Sequence, residues 1–263
     1  MMRRQHYSTA LAMGQGIIPE STILFGLWEE EMTASDLFET AHSQGALNSD
    51  SERRLRNIVI EAFGSRFLHK DNLEQTLQLK QLFAESLDSN LITQINLLFA
   101  LRQHGIFFDF LAEEYWPAVK AGQSHLRLAD VGRMIDRGII SGKLPKPWSE
   151  LMRKRVSSYT IGIATDFGFI RRSSGSEREI LSWSPHDHLI LFLVYDLHFS
   201  GSSDDEIASA DEWRAFGFDR EDVTIYLNRL QSQDHLLVQD NGHLCRIDWK
   251  YSTRQELSHV ILR

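Results

Sequence analysis

The hydrophobic pattern of residues 1–70 predicts three helices. The first follows Pro19 and extends to Trp28, the second lies in ASDLFETAHSQG, and the third covers SDSERRLRNIVIEAFGSRF. Two helices joined through Gly45 predict a helix-turn-helix unit. The third helix has an apolar stripe at helical spacing, which consists of Leu55, Val59, Ala62 and Phe63. Its three arginines at positions 53, 54 and 56 lie on or beside the opposite face, so we expect them in solvent.

Residues 71–123 carry apolar residues at steps of three and four, which predicts further helices. These positions are Leu73, Leu77, Leu82, Phe83, Leu91, Ile95, Leu98 and Phe99. An aromatic run follows, made of Phe107, Phe108, Phe110, Tyr115 and Trp116. Because acidic residues stand among these rings, a packed core is favoured over a platform on which bases stack. We interpret the segment as a helical spacer or docking unit.

The pattern of residues 124–184 predicts a helix in LADVGRMIDRGI, the turn SGKLPKP, a second helix and a β-hairpin around Ser174 and Gly175. In the second helix the expected buried stripe is Met152, Val156, Tyr159, Ile163 and Phe167. The expected far side is Lys154, Ser157, Ser158 and Ile161. This order of elements is typical of a winged helix. Its wing, the hairpin after the second helix, would contain Arg171, Arg172 and Arg178.

Residues 185–263 repeat that order with different chemistry. A helix in HLILFLVYDLH, a short helical region at 211–216 and a helix at 219–230 precede the hairpin LLVQDNGHLCRIDW. Asn241-Gly242 between two apolar runs is a strong signal for a two-residue hairpin turn. The helix at 219–230 begins DREDV, and three acids near its start would repel phosphate. We therefore predict a structural or protein-binding role for this unit.

The fold class predicted by these patterns is mainly α with small β-hairpins. Helix-turn-helix and winged-helix modules are expected around a helical core. The expected modules are an N-terminal helix-turn-helix at 1–70, a spacer at 71–123, a basic winged helix at 124–184 and an acidic winged-helix-like module at 185–263.

Charge changes this picture because it is distributed unevenly. The 263 residues include 28 Lys and Arg against 36 Asp and Glu, for a net charge of −8. Counted over the four segments in chain order, basic and acidic residues number 7 and 9, 3 and 7, 11 and 6, and 7 and 14. The net charges are therefore −2, −4, +5 and −7. An asymmetry of this size between neighbouring segments indicates different partners for each.

The basic segment 124–184 is the candidate nucleic-acid contact. Arg and Lys on the early turns of a recognition helix can contact phosphates or guanine edges, and serine hydroxyls can bond to either phosphate or base. We predict binding to double-stranded DNA by this helix, its wing and the preceding turn, with the third N-terminal helix as a second contact. The candidate residues are Arg53, Arg54, Arg56, Lys143, Lys146, Arg153, Lys154, Arg155, Ser157, Ser158, Arg171, Arg172 and Arg178. For a charge run considered alone, a solvated helix face is the alternative.

Signatures of phosphate loops and metal sites are poor. GIISGKL resembles a phosphate loop, but its glycines are one residue too close and Leu144 stands where Ser or Thr would bind magnesium. His186, Asp187 and His188 lie at a predicted helix start, where polar capping is favoured over metal binding. The single cysteine, Cys245, excludes an intramolecular disulfide and fits a reducing cytoplasm. We predict no metal and no cofactor.

A nuclease is the remaining enzymatic alternative. Asp248 and Lys250 resemble the end of a nuclease motif, with Asp234 or Asp240 upstream as a possible partner. Such a site needs carboxylates clustered around magnesium. Because these residues lie in and after a small hairpin, solvent-facing turn residues are favoured. We predict that the protein is not an enzyme.

The chain is expected to be cytoplasmic and without a membrane span. The most apolar region, LITQINLLFALRQHGIFFDFLAEEYW, is interrupted by polar residues well short of the ~18 apolar residues that a bilayer helix requires. The start MMRRQHYSTALAMGQG lacks the sustained apolar core of a signal peptide.

Four stretches of the chain resemble one known family. YSTALAMGQGIIPES, SERRLRNIVIEAF, RQHGIFFDFLAEEYW and MRKRVSSYTIGIATDFGFI, in this order and spacing, are similar to the BrxA proteins of bacterial BREX phage-defence systems. The similarity covers most of the chain and consists of hydrophobic patterns with basic helices rather than a catalytic signature. It implies a small, mostly helical cytoplasmic protein without enzymatic activity that binds DNA through helix-turn-helix or winged-helix modules. It also implies action beside the methyltransferase, phosphatase-like and ATPase components of the system.

The leading hypothesis is a non-enzymatic, DNA-binding accessory factor of phage defence. The alternative is a protein-interaction scaffold of the same complex without direct DNA binding. Its acidic C-terminal module would dock onto a basic partner, and its central basic face onto an acidic one.

Overall fold

The structure, a computed structural model, is mainly helical and includes two small antiparallel sheets. It describes residues 6–13, 16–69, 72–86, 88–144, 146–173, 175–240 and 245–263. The helices of the first 120 residues are a 3-10 helix (Thr9–Met13), α1 (Ile18–Leu27), α2 (Ala34–Ser43), α3 (Glu52–Arg56), a π-helical segment (Asn57–Gly64), α4 (Ser65–Phe67), α5 (Leu73–Glu85), α6 (Ser89–Gln103), α7 (Gly105–Phe110), a π-helical turn (Leu111–Tyr115) and α8 (Trp116–Lys120). The elements of the central segment are β1 (His125–Arg127), α9 (Leu128–Ile140), α10 (Glu150–Asp166), β2 (Ile170–Arg172) and β3 (Glu177–Ile180). The C-terminal elements are α11 (Asp187–Phe199), α12 (Asp204–Ala208), α13 (Glu212–Ala215), α14 (Arg220–Ser232), β4 (Leu236–Asp240), β5 (Cys245–Trp249) and α15 (Arg254–Ile261).

The three helices expected in residues 1–70 are present. α3 continues through the π-helical segment into α4, so these three elements correspond to the predicted third helix. Ser51 caps α3 by accepting a hydrogen bond from the Arg54 amide. The predicted apolar stripe of this helix is buried throughout. Gly45 has a φ of +59°, a left-handed conformation that favours glycine, and this allows the chain to turn after α2.

The aromatic run of residues 107–116 belongs to the core, as was expected because the acidic residues among the rings argue against a base-stacking platform. Phe107, Phe110 and Tyr115 are completely buried, and the Tyr115 hydroxyl donates to the Leu181 carbonyl at 2.6 Å. α5 lies where apolar residues at steps of three and four predicted a helix, although Leu73 and Leu77 at its start are each 37% exposed. The face of α5 that turns inward carries polar groups as well, including Gln75 and Gln78.

The central segment forms a three-stranded sheet with the strand order β1-β3-β2. The β2–β3 hairpin was expected, although Ser174 in its turn lies outside the described residues. The sequence pattern did not predict β1, which pairs antiparallel with β3. α10 begins after Ser149, whose Oγ accepts from the Met152 amide at 3.2 Å.

The expected two-sided character of α10 is partly wrong. Val156, Ile163 and Phe167 are buried as predicted, but Ser157 and Ile161, which were assigned to the far side, are buried as well. α10 packs against the 3-10 helix, α7, α9 and β2, so several elements cover it around most of its circumference. A single apolar stripe cannot describe a helix in that environment.

The C-terminal segment contains the expected helices and hairpin, and in addition α12 and α15. β4 and β5 pair antiparallel, with Leu236 opposite Trp249, while the Asn241-Gly242 turn lies outside the described residues. His186 caps α11 through its ring Nδ1, which accepts from the His188 amide at 3.1 Å. Polar capping was the role expected for this histidine, and it is confirmed.

A buried cluster of charges connects the C-terminal segment to the preceding helices. Asp196 on α11 is 1% exposed and accepts hydrogen bonds at 2.6 Å from both Arg102 on α6 and Arg254 on α15. Arg102 also contacts Glu212 on α13 at 3.2 Å, and Gln75 on α5 donates to Asp196 at 2.6 Å. Five helices therefore meet at one set of buried polar groups.

The helices of the described ranges include none with the length and apolar content needed to cross a membrane.

Candidate nucleic-acid interface

The exposed side of α10 combines charged residues with one apolar residue. Its N-terminal half exposes Glu150, Leu151, Lys154, Arg155 and Ser158. At 100° of rotation per residue the last four of these fall within about 100° of arc, and Glu150 lies beyond Lys154 at one edge. We call Leu151, Lys154, Arg155 and Ser158 the α10 stripe. A partner can reach all four side chains.

The charges of the α10 stripe have different surroundings. The Lys154 ammonium lies 2.7 Å from Glu150 Oε1, and both side chains are largely exposed. Arg155 is exposed and, within the described part of the chain, forms no ion pair. Exposed ion pairs of the Lys154 type contribute only about 0–1 kcal/mol, so they can be exchanged for contacts with another anion.

A groove between α9 and α10 borders the stripe. Leu128, Ala129 and Gly132 on α9 form one side, and Lys154 and Ser157 on α10 lie on the other. Nothing stands within 4 Å of the position that a Cβ on Gly132 would occupy, so the groove is open there. Ser157 is only 3% exposed, so its hydroxyl is not available to form a hydrogen bond with a base. The sequence had predicted that Ser157 would contact DNA.

Arg153 also lies in this groove, close to an acidic residue of α9. Its guanidinium Nη1 contacts Asp136 Oδ1 at 2.6 Å. The Nε atom of the same guanidinium is buried and has no acceptor among the described residues. Arg153 therefore has donor capacity that the neighbouring protein groups leave unused.

Lys143 does not belong to the exposed basic surface. Its ammonium lies 2.6 Å from Asp109 Oδ2 and 3.1 Å from Glu113 Oε1. Burial by itself lowers the pKa of Lys143, but the hydrogen bonds and charges of these two carboxylates outweigh burial and raise it. The Tyr7 hydroxyl donates to the same Asp109 oxygen at 2.8 Å. Lys143 thus fixes the N-terminal segment to the helical core, whereas Lys146 in the same turn is exposed.

The three arginines of the wing lie on opposite faces of the sheet. Arg171 pairs across the strands with Glu179, and its guanidinium forms a two-pronged contact with that carboxylate at 2.8 and 3.1 Å. Arg172 and Arg178 stand directly opposite each other on the other face, which is the face of the buried Ile170. Side chains alternate along a strand, and this alternation separates neighbouring arginines.

The Arg172–Arg178 pair places two positive charges across from each other. Like charges at directly opposed positions destabilise a sheet. Arg178 Nη1 donates to the carbonyls of Glu177 and Gly175, at 2.8 and 3.3 Å, while Arg172 is exposed and has no ion-pair partner within the ranges described. An anion between the two guanidinium groups would relieve their repulsion.

Contacts of Arg127 link the tip of the wing to the groove. Arg127 on β1 reaches Glu177 at the start of β3, with Nη2 to Oε1 at 3.0 Å. The next two residues, Leu128 and Ala129, line the groove opposite Lys154. Arg127 was not predicted as a site residue, since a three-residue strand before a helix gives only a weak sequence pattern.

The N-terminal arginines form a separate exposed group. Arg53, Arg54 and Arg56 are all exposed on α3, and the Arg56 guanidinium lies 5.7 Å from the centre of the Phe38 ring. They are accompanied by acidic residues nearby in sequence, and the first 70 residues carry a net charge of −2. The excess of positive charge is thus specific to the central segment.

Comparison with known proteins identifies the family. A family model described as BrxA matches residues 5–194, which is more than half of the chain. The chain belongs to the BrxA family. The resemblance found in the sequence is thereby confirmed, and BrxA membership implies a protein of BREX antiviral defence. No curated protein and no solved structure matches the chain.

The BrxA match ends within α11 and leaves residues 195–263 outside it. Many acids of this remaining segment serve internal contacts. Asp204 and Asp205 accept from backbone amides of β5, and Asp219 and Asp222 cap α14. Lys250 of the nuclease-like motif forms an ion pair with Asp234, and its Nζ also donates to the Asp234 carbonyl at 2.7 Å.

Proposed function

We propose that this BrxA-family protein is a non-enzymatic accessory factor of BREX defence that binds duplex DNA. The observation that carries the proposal is the arrangement of the central segment, in which β1, α9, α10, β2 and β3 follow one another and the strands adopt the order β1-β3-β2. We interpret this arrangement as a winged helix with α10 as its recognition helix. The net charge of +5 in residues 124–184 supports this interpretation.

The dimensions and chemistry of α10 suit the major groove. A helix with its side chains is ~10–12 Å across, and the major groove is ~12 Å wide. Lys154 and Arg155 would contact phosphates or guanine edges, and the Ser158 hydroxyl could bond to either. Arg172 and Arg178 on the wing would contact the adjacent backbone. Arg53, Arg54 and Arg56 remain a proposed second contact, whereas Lys143 and Ser157 are left out because of their internal positions.

The test is the salt dependence of binding to a short labelled duplex, followed by fluorescence anisotropy. Each phosphate contact releases counterions, so the logarithm of the association constant should fall with the logarithm of salt concentration by about 0.9 per contact. With four cations engaged, the affinity should fall by more than tenfold between about 50 and 200 mM salt. Absence of binding at the lowest salt concentration would contradict the proposal.

The two faces of the wing give a second prediction. We expect Arg172→Ala to weaken duplex binding about three- to tenfold, since it removes a guanidinium that is free to contact phosphate. Arg171→Ala is the matched control on the neighbouring residue, and it should change the affinity less than twofold because Glu179 already neutralises that side chain. Anisotropy titrations of both variants provide the comparison. Equal losses for the two would show that the sheet faces are not distinguished by DNA.

A scaffold role is the second candidate function, and one feature of α14 favours it. Ile225 on this helix is 64% exposed and follows Glu221 by one turn, in a segment with a net charge of −7. A basic partner with an apolar contact would fit such a face. The methyltransferase, phosphatase-like and ATPase components of the system are the partners to test. Capture of a purified component that survives nuclease treatment, by a protein that does not bind duplex DNA, would favour this role.

A further inference from the structure

One member of the α10 stripe is an apolar residue outside the hydrophobic core. Leu151 is the second residue of α10 and is 61% exposed. Exposed leucines are common singly on protein surfaces. This one, however, lies on the same narrow stripe as Lys154, Arg155 and Ser158, which are one and two helical turns further along.

Resting on the proposed function, we infer that Leu151 is a specificity-determining residue that contacts the 5-methyl group of thymine in the major groove. Base edges are read by residues near the N-terminus of a recognition helix, and Leu151 directly follows the first residue of α10. Among the four bases, only thymine presents an apolar group in that groove. An exposed apolar side chain between the two cations Lys154 and Arg155 matches that group in chemistry and position, and the nearby Glu150 carboxylate is paired with Lys154.

The surroundings of Leu151 are consistent with a base contact rather than a backbone contact. Lys154 and Arg155 flank it by about 60° and 40° around the helix axis. Phosphates lie on both sides of the major groove, and bases lie on its floor. Lys154 and Arg155, at the edges of the stripe, have long cationic side chains that can reach the DNA backbone. Leu151 between them has a shorter, apolar side chain and would then lie over the bases on the floor of the major groove.

The experiment compares two duplexes that differ only in the thymine methyl groups. One is a short duplex of mixed sequence, and the other has uracil in place of every thymine. The wild-type protein should bind the uracil duplex roughly three- to fivefold more weakly, which corresponds to the burial of one methyl group. Leu151→Ala should bind both duplexes with equal affinity. Since Leu151 is exposed, this variant is expected to fold normally, as circular dichroism can show.

Ile140→Ala supplies the matched control. Ile140 ends α9 and is 88% exposed, so it is an apolar surface residue of the same segment outside the α10 stripe. This variant should keep the difference between the thymine and uracil duplexes. If wild-type and Leu151→Ala proteins show the same ratio of affinities, the inference about Leu151 is wrong, and the proposed DNA binding stands. If neither duplex is bound by the wild-type protein, both proposals are wrong.

Discussion

Replacing Asp196 with asparagine is expected to lower the free energy of unfolding by about 3–5 kcal/mol. Asp196 is 1% exposed and accepts hydrogen bonds from the buried guanidinium groups of Arg102 and Arg254. With Glu212 as the second carboxylate, the cluster has two positive and two negative charges. Asparagine keeps the shape but removes one negative charge, which leaves a buried positive charge without compensation. Urea unfolding followed by circular dichroism measures the change.

Asp248→Asn is the matched control for this substitution. Asp248 lies on β5 in the same C-terminal segment, but its side chain is exposed. The same chemical change there should alter the free energy of unfolding by less than about 0.5 kcal/mol. Equal stability of the two variants would mean that this cluster of charges does not hold the five helices together.

The same cluster should make the free energy of unfolding fall as the pH is lowered. Burial by itself would raise the pKa of Asp196, but the charges of Arg102 and Arg254 outweigh burial and hold it below the ordinary value. The carboxylate therefore stabilises the fold above the pKa of the unfolded chain, about 3.9, and this contribution is lost as the pH falls through the lower pKa of the folded state. Between about pH 5 and pH 3, the wild-type protein should lose more of its stability than Asp196→Asn does. A constant difference between the two proteins over this range would contradict the assignment.

Sequence patterns located the long helices and the hairpins because those elements follow local rules. The spacing of apolar residues predicted the buried stripe of α3 and its π-helical continuation. It also predicted the aromatic core and the helix, turn, helix and hairpin of the central segment. β1 was not visible, since its three residues contain only one apolar side chain, Leu126, and the strand exists through its pairing with β3. Pairing between residues about 50 positions apart is a tertiary property that no local window contains.

The buried charges could not be predicted for a related reason. Arg66, Arg102 and Arg254 are 0–7% exposed, although arginine is rarely buried unless it is paired. Their partners come from distant helices, as Asp196 does for Arg254. Within the candidate site, the sequence placed Lys154, Arg155 and Ser158 on the surface, where the structure has them. The sequence also placed Ser157 on the surface, but Ser157 is buried. Four elements pack around α10, and a prediction with a single apolar stripe does not account for them.

Reversing the two charges of the α10 stripe is expected to reduce duplex affinity by at least tenfold at about 100 mM salt. Lys154→Glu and Arg155→Glu together remove two cations and place two anions where the proposal requires phosphates. The slope of the logarithm of the association constant against that of salt should become shallower by about 2, since each lost phosphate contact removes about 0.9. Both side chains are exposed, so the fold should persist. Anisotropy titrations at several salt concentrations measure both quantities.

The control must separate a local effect from that of total charge. Arg214→Glu with Arg246→Glu changes the net charge by the same four units, from −8 to −12, at exposed residues of the C-terminal segment. If DNA binds at the α10 stripe, this control should change the affinity less than about threefold, because charges outside the contact surface act on DNA only through a field that salt screens over ~8–10 Å. Equal losses for the two double variants would mean that the protein attracts DNA only through its total charge. A loss confined to Lys154 and Arg155 would place the duplex against the α10 stripe, which belongs to the segment of residues 124–184 with its net charge of +5.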